Sequence, residues 1–510
     1  MRRVSVSSSR GPLALNPNNP ADAGVDYDGD GSLDLIVGVG DWTDYGWDNA
    51  WDEKGVWKNP PLRGTVHVFY GRSDGSYAEP FQLLSDGKPL ETFGCPSPNL
   101  AHFDEDDDLD LLCGSFLDGF SYYENSNTNS EPLYAAARPL LDPAGREVKM
   151  ELQMIVPIAF DWDRDGDQDL IVGDEDGRVA WIENTGRFRD RVPVFEQPRY
   201  FQQQADTLKC GALATPFAYD WDADGDLDLL CGNTAGKIEI FENLSAAGVA
   251  SPRWAAPKPL FLAGVPFRVM AGENGSIQGP AEAKWGYTTI NIVDWDGDGR
   301  VDVLFNSITG DVCWLQNVGT KTVPKFDRVA AIEVEWQTQQ PRLAWGWRKP
   351  EGKKLLTQWR TTPVAHDMNR DGLVDLIMLD QEGYLAFFQR NADLSLREPR
   401  RAFLDAQGNP LRLNDKTAGA SGRRKLCLGD WDGDGKVDLL VNGKNADLWR
   451  QVACDSKSWT FQNSGAISDR DIEGHDVSPA LVDFDGDGIL DFLGGAEDGK
   501  LYFQQNSRKN

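Results

Sequence analysis

The sequence predicts an all-β protein made of one small sheet repeated eight times, and three observations carry that expectation. An acidic loop recurs eight times along the 510 residues. An apolar run of strand length follows each loop. No long segment shows the period of an amphipathic helix, so the repeat is built from strands.

The cleanest loops are Asp294-Trp-Asp296-Gly-Asp298-Gly-Arg-Val-Asp302, Asp430-Trp-Asp432-Gly-Asp434-Gly-Lys-Val-Asp438 and Asp483-Phe-Asp485-Gly-Asp487-Gly-Ile-Leu-Asp491. Carboxylates at offsets 0, 2, 4 and 8, with glycine at offset 5, make a cage of hard oxygen donors closed by a sharp turn. That donor set selects Ca²⁺. Four more loops supply Asp26, Asp28, Asp30 and Asp34; Asp161, Asp163, Asp165 and Asp169; Asp220, Asp222, Asp224 and Asp228; and Asp367, Asn369, Asp371 and Asp375. The remaining loop is degenerate, with His102 at its first position, Asp107 where glycine belongs, and Asp104, Asp106 and Asp110 as donors, so a weak or empty site is expected there. Successive loops start 76, 59, 59, 74, 73, 63 and 53 residues apart, a unit of about 55–60 residues with insertions.

Composition fits this reading. The formal charge is −30, and eight divalent ions would leave −14, so much of the acidity is ligand inventory. No basic stripe is present to meet nucleic acid or an anionic membrane. No run reaches membrane-spanning length.

Each unit reads as strand, acidic loop, strand, turn, strand. In the fourth, 215–219 leads into the loop, 227–231 leaves it, Ala235-Gly236 turns the chain and 237–241 alternates as a half-buried strand. Proline sits four residues before the loop in five units (Pro98, Pro157, Pro216, Pro363, Pro479), where it can begin a strand without breaking a ladder. A fourth strand between units completes a blade, and blades repeated radially make a β-propeller. The expectation is a single domain over residues 1–510, with eight blades and seven as the alternative. Long insertions fall at about 40–64 and 327–358, and the N-terminal Arg3-Val-Ser-Val-Ser7 would close the ring as the last blade's fourth strand.

These repeats resemble FG-GAP/VCBS repeats, the calcium-binding propeller blades of integrin α-subunit heads, fungal sugar-binding lectins and several propeller-type polysaccharide lyases and glycosidases. The resemblance implies structural calcium, up to about eight ions, with the loop aspartates as ligands and not catalysts.

Because the acidic loops join the first strand to the second, residues just before the first strand ring the opposite mouth of the channel, the usual ligand site of this architecture. That register holds Gln153, Trp359 and His475, with Lys284, Trp285, Tyr287, Arg360, Arg423, Arg424 and Asp476 beside them. The first blade adds a long loop on the same face, with Trp42, Asp44, Tyr45, Trp47 and Asp48. Rings interleaved with carboxylates and amides suit sugars, and the alternative is a hydrophobic plug over the blade edge. A second insertion, from Glu333-Val-Glu-Trp336 to Trp345-Gly-Trp347, adds aromatics near the sixth blade.

The cationic mouth points to an acidic, uronic-acid-containing glycan. In a lyase, Arg360, Lys284 or Arg423 would neutralise the sugar carboxylate while His475 or Tyr287 moves a proton. In a glycosidase, two carboxylates among Asp41, Asp44, Asp48, Glu151, Glu282, Glu473 and Asp476 would flank the bond. The expected activity is therefore that of a polysaccharide lyase or glycoside hydrolase, with a lectin-like or adhesive binding module as the alternative. A monomer is expected. Loops of this type point to an extracytoplasmic, calcium-rich setting, although the N-terminus shows no secretory signal. The seven cysteines have no zinc-ligand spacing and read mostly as reduced core residues.

Overall fold

A computed structural model of the chain describes residues 3–6, 25–46, 50–104, 106, 108–129, 131–201, 208–249, 251–343, 345–414, 424–472 and 477–506. Its strands form a small antiparallel sheet around each acidic loop, eight in all. The one helical segment among the described residues is the 3-10 turn Pro280–Glu282. The fourth sheet shows the pattern: Thr215–Tyr219 enters the loop, Asp228–Gly232 leaves it and Ile238–Phe241 returns, with Thr215 opposite Gly232 and Tyr219 opposite Asp228. Between its last two strands Gly236 takes φ 76°, a left-handed value that favours glycine in a tight turn.

The chain divides into two compact units, one of Met1–Gly46 with Lys58–Gln204 and one of Trp47–Trp57 with Ala205–Asn510. The first unit carries three of these eight loop-bearing sheets, whose second strands are Leu35–Asp41, Asp110–Gly114 and Asp169–Gly173. The second carries five, with inner strands Thr215–Tyr219, Thr289–Val293, Val364–His366, Leu426–Gly429 and Ser478–Val482.

One sequence expectation needs correction here. The N-terminal strand Arg3–Val6 does not complete the last sheet; it pairs with Leu35–Asp41 of the first, Arg3 opposite Gly40 and Val6 opposite Val37. The edge of the last sheet is met instead by residues 208–210. Lys209 bridges Lys500, Cys210 N–H donates to the Gly499 carbonyl at 2.9 Å, and Leu501 N–H donates to the Leu208 carbonyl at 3.2 Å. Within the second unit the five inner strands line one channel of about 170 Å³, and the fourth sheet's inner strand packs against the eighth's.

Four joints between sheets share one device. Where a second strand meets the next sheet, a glycine removes the side chain that would block it. A Cβ on Gly38 would collide with the Pro96 carbonyl, one on Gly114 with Pro157, one on Gly232 with Thr288, and one on Gly495 with Ala214 and Pro216. The last pair is the closing joint of the second unit. Apolar side chains fill the spaces between sheets. Leu304, Leu376, Met378 and Phe388 are fully buried in one such layer, each contributing roughly 1.5–3 kcal/mol by leaving water.

Candidate cation loops and ligand cleft

The offset-8 aspartate of each loop is buried where loop and sheet meet, and backbone N–H groups hold its carboxylate. Asp302 accepts from Trp295 N–H at 2.9 Å and Asn317 N–H at 2.8 Å. Asp228 accepts from Trp221 at 3.0 Å and Asn243 at 2.8 Å. Asp169 accepts from Asn184 at 2.8 Å, and Asp491 from Asn506 at 2.7 Å. The asparagine then bonds back: Asn243 Nδ2 donates to the Leu227 carbonyl at 3.2 Å, and its Oδ1 receives Ser245 N–H at 2.9 Å. The sequence reading missed this asparagine. Its signal was a fixed spacing of fifteen residues after the aspartate, seen at Asn125, Asn184, Asn243, Asn317 and Asn506.

Around that anchor the other carboxylates converge. In Asp26, Asp28 and Asp34, in Asp294, Asp296 and Asp302, and in Asp430, Asp432 and Asp438, one oxygen from each residue lies within 4.8 Å of the others. The same holds for Asp161, Asp163 and Asp165, and for Asp220, Asp222 and Asp224. Glycine at offset 5 does more than turn the chain. Its N–H donates to the offset-0 carboxylate at 3.0 Å in Gly31, 2.9 Å in Gly299, and 3.0 Å in Gly372, Gly435 and Gly488. The cage is preorganised yet unbalanced. Burial, the largest cause, pushes Asp302 and Asp110 up to about 7, and Asp375 and Asp491 up to about 6. Buried oxygens of Asp26, Asp161, Asp220, Asp375 and Asp491 meet no hydrogen-bond donor among the described residues. Crowded, desolvated carboxylates with spare lone pairs fit a hard divalent cation.

Three further acids belong to these clusters and were not read from the sequence: Asp108, Asp167 and Asp226, at offset 6 of the second, third and fourth loops. Burial and then neighbouring aspartates push Asp108 and Asp167 up to about 7 and Asp226 to about 6. In the degenerate second loop, His102 Nδ1 lies 2.6 Å from the Asp108 carbonyl oxygen, and the Arg191 guanidinium lies 3.7 Å from Asp106.

The mouth residues fare differently. His475, Asp476, Glu473, Arg423, Trp47 and Asp48 lie outside the described residues. In the second unit, Tyr287, Trp359 and Arg360 come together as a packed stack. Arg360 lies 4.0 Å from the Tyr287 ring centre and 5.3 Å from that of Trp359. All three are buried, with Arg360 only 4 % exposed. The stack continues through Trp347 to Trp345, parallel at 4.2 Å, and to Trp51 at 5.3 Å. Trp51 Nε1 donates to the Asn274 carbonyl at 3.2 Å. Residues 51–57 of the first-blade loop thus pack as the plug that was the alternative reading. Lys284 is half-buried and its carbonyl accepts from Arg268 at 3.1 Å, while Arg424 Nε donates to the Leu413 carbonyl at 2.7 Å.

In the first unit, Gln153 is fully buried. Trp42 packs edge-on against Tyr45 at 5.5 Å and Phe116 at 5.9 Å. Asp44 and Tyr45, however, line an open cleft of about 480 Å³ with Asp41, Arg63, Glu91 and Phe93. Asn59 Nδ2 fixes the turn beneath it by donating to the Tyr45 carbonyl at 2.6 Å, and Arg63 and Glu91 pair at 2.8 Å across half-exposed side chains. Of the other candidate carboxylates, Glu151 pairs with Arg178 at 2.6 Å, and buried Glu282 accepts from Ser276 and from Gln278 N–H.

The family model FG-GAP-like repeat matches residues 367–441 and 430–494. No curated protein matches the chain. Among solved structures, a lectin from Agrocybe aegerita described as recognising non-reducing terminal N-acetylglucosamine is similar at 15 % identity, covering 83 % of this chain and 88 % of that one, with a TM-score of 0.28. The BP39L lectin from Burkholderia pseudomallei is similar at 13 % identity, covering 81 % and 97 %, with a TM-score of 0.28. The PilY1 C-terminal domain from Pseudomonas aeruginosa is similar at 11 % identity, covering 88 % and 93 %, with a TM-score of 0.22. Nothing about a ligand follows from scores of this size. The matched stretch covers the sixth to eighth acidic loops, and the earlier units repeat the same arrangement of loop and sheet. Residues 367–494 of this all-β chain are thus FG-GAP-like repeats.

Proposed function

We propose that this protein is a glycan-binding β-propeller whose acidic loops take calcium. The first-unit cleft carries the binding reading. Its 480 Å³ falls in the range of small-molecule sites, and its walls pair the half-buried Phe93 ring with Asp41, Asp44, Glu91 and Arg63, over a buried Tyr45. Three carboxylates against one guanidinium favour a neutral or amino sugar over the uronic acid expected from sequence. The lyase reading has less support, because Tyr287 and Arg360 of its proposed set are buried in packing. Calcium would be held by the offset-0, 2, 4 and 8 residues and would neutralise the desolvated carboxylates. The protein would then work outside the cytoplasm, where calcium is abundant.

A glycan array probed with the calcium-loaded chain, followed by calorimetry on the best ligands, tests this. Binding by the unaltered protein, weakened at least tenfold in Asp44→Ala, is the expected result. Absence of binding to any glycan, or unchanged affinity in that variant, would overturn it. Product release from the same glycans would restore the catalytic alternative.

A further inference from the structure

Fifteen residues after the offset-8 aspartate, where other sheets carry an asparagine such as Asn317 or Asn506, the sixth carries Arg390. Its backbone N–H keeps the usual bond, donating to Asp375 at 3.0 Å. The side chain is what differs. Arg390 is 6 % exposed, its guanidinium lies 5.1 Å from the Trp295 ring centre, and Nη1 donates to the Trp295 carbonyl. Trp295 stands at offset 1 of the fifth loop, so a side chain of the sixth sheet reaches the neighbouring acidic loop. The eighth sheet makes the same reach with a neutral group. There Asn506 Nδ2 donates at 3.0 Å to the carbonyl of Trp431, at offset 1 of the seventh loop.

A guanidinium keeps its charge even when buried. Burial lowers Arg390 from the ordinary arginine value, and the carboxylates that work against burial are, in order, Asp375, Asp294, Asp296 and Asp371. Two belong to the fifth loop and two to the sixth, so one fixed positive charge faces both ligand sets. The sets are unequal. The fifth loop offers four carboxylates and the sixth three, because Asn369 replaces one. Calcium affinity in oxygen-ligand loops follows the charge of the ligands. A dication entering either loop is repelled by Arg390, and salt screens that repulsion little at a buried group. The sixth loop has the least negative charge to offset it.

We propose that Arg390 is a resident counter-cation that weakens calcium binding at the fifth and sixth loops and makes the sixth the low-affinity site among the seven regular loops. This rests on the calcium reading of the loops and not on the glycan cleft.

The test is titration of the chelator-treated full chain with calcium, followed by calorimetry and equilibrium dialysis. Asp371→Ala removes one ligand, so the binding step it abolishes belongs to the sixth loop. That step should be weaker than those abolished by Asp296→Ala in the fifth loop and Asp434→Ala in the seventh. Arg390→Asn installs the side chain that other sheets carry, and Arg390→Met keeps the long stem without the charge. Both should tighten the sixth-loop step at least fivefold and shift the fifth-loop step in the same direction, with the seventh unchanged. Arg390→Lys, which keeps the charge, should bind as the unaltered chain does. A purely structural role would instead weaken binding in all three variants. A sixth-loop step as tight as the seventh's, or unchanged or weaker affinity in both Arg390→Asn and Arg390→Met, would overturn the proposal while the calcium reading stands. If the unaltered chain binds no calcium, both fall.

Discussion

At the scale of single residues, the offset-8 aspartate serves the fold before it serves any ion. Asp302 gives two buried backbone N–H groups their acceptor, at 2.9 and 2.8 Å. Removing it strands both donors, at about 1–3 kcal/mol each. Asp302→Ala should therefore lower stability by roughly 2 kcal/mol or more, even in chelator-treated protein, as a denaturant titration would show. Asp298 is different. It is exposed, accepts from Arg300 N–H at 2.9 Å and pairs with the Arg300 side chain. Asp298→Ala should change the chelated protein little and lower calcium affinity instead. Equal effects of the two variants with and without calcium would refute this division. The joint glycines are a second residue-scale case. A Cβ on Gly495 would overlap Ala214 and Pro216, so Gly495→Ala should cost about 1–3 kcal/mol, the usual penalty of overpacking. A melting temperature equal to the parent's would argue against the closing joint. Loop aspartates were legible in the sequence because ligand spacing is local, as were the prolines that start inner strands. The glycines at the four joints were not singled out, since what they admit comes from another sheet.

At the scale of the element, each loop is a spring of like charges held by its sheet. Folding raises the carboxyl groups of Asp110 and Asp302 to about 7, and those of Asp375 and Asp491 to about 6. A raised folded-state value means that the native chain binds protons which the unfolded chain has released. This contribution is fully present below the ordinary carboxylate range near 4. It is lost as pH rises through about 6 and 7. Chelator-treated protein should therefore become less stable between pH 5 and pH 8, and calcium should remove the slope by taking the proton's place. Thermal melts across that interval check it, and a chelated protein that gains stability with pH would contradict it. The long first-blade loop teaches a different lesson at this scale. Its composition of tryptophans, aspartates and asparagine suits a sugar platform and a plug equally. Only packing separated the two, because Trp51 found Trp57 and Trp347 while Asp44 and Tyr45 stayed beside an open cleft.

At the scale of the molecule, charge and cation are coupled. A net charge of −30 repels itself, and eight divalent ions would leave −14. Each site held at a hundred times its dissociation constant adds about 2.7 kcal/mol. Chelation should therefore lower the melting temperature, and calcium should restore it. Sodium chloride should raise the melting temperature more in the chelated protein than in the loaded one, because screening acts on uncompensated charge. Equal salt effects in the two states would show that the loops do not carry that charge balance.

By itself the sequence determined the all-β class, the repeated sheet and the residues of each acidic loop, because turn geometry, strand alternation and ligand spacing are properties of neighbours in the chain. Tertiary structure alone decided that Lys209 and not the N-terminal strand meets Lys500, and that five inner strands of the second unit surround one channel. It also decided that Arg360 is buried on Tyr287 while Asp44 lines a cleft. Those outcomes depend on which distant surfaces exclude water from one another, and no local pattern encodes that choice.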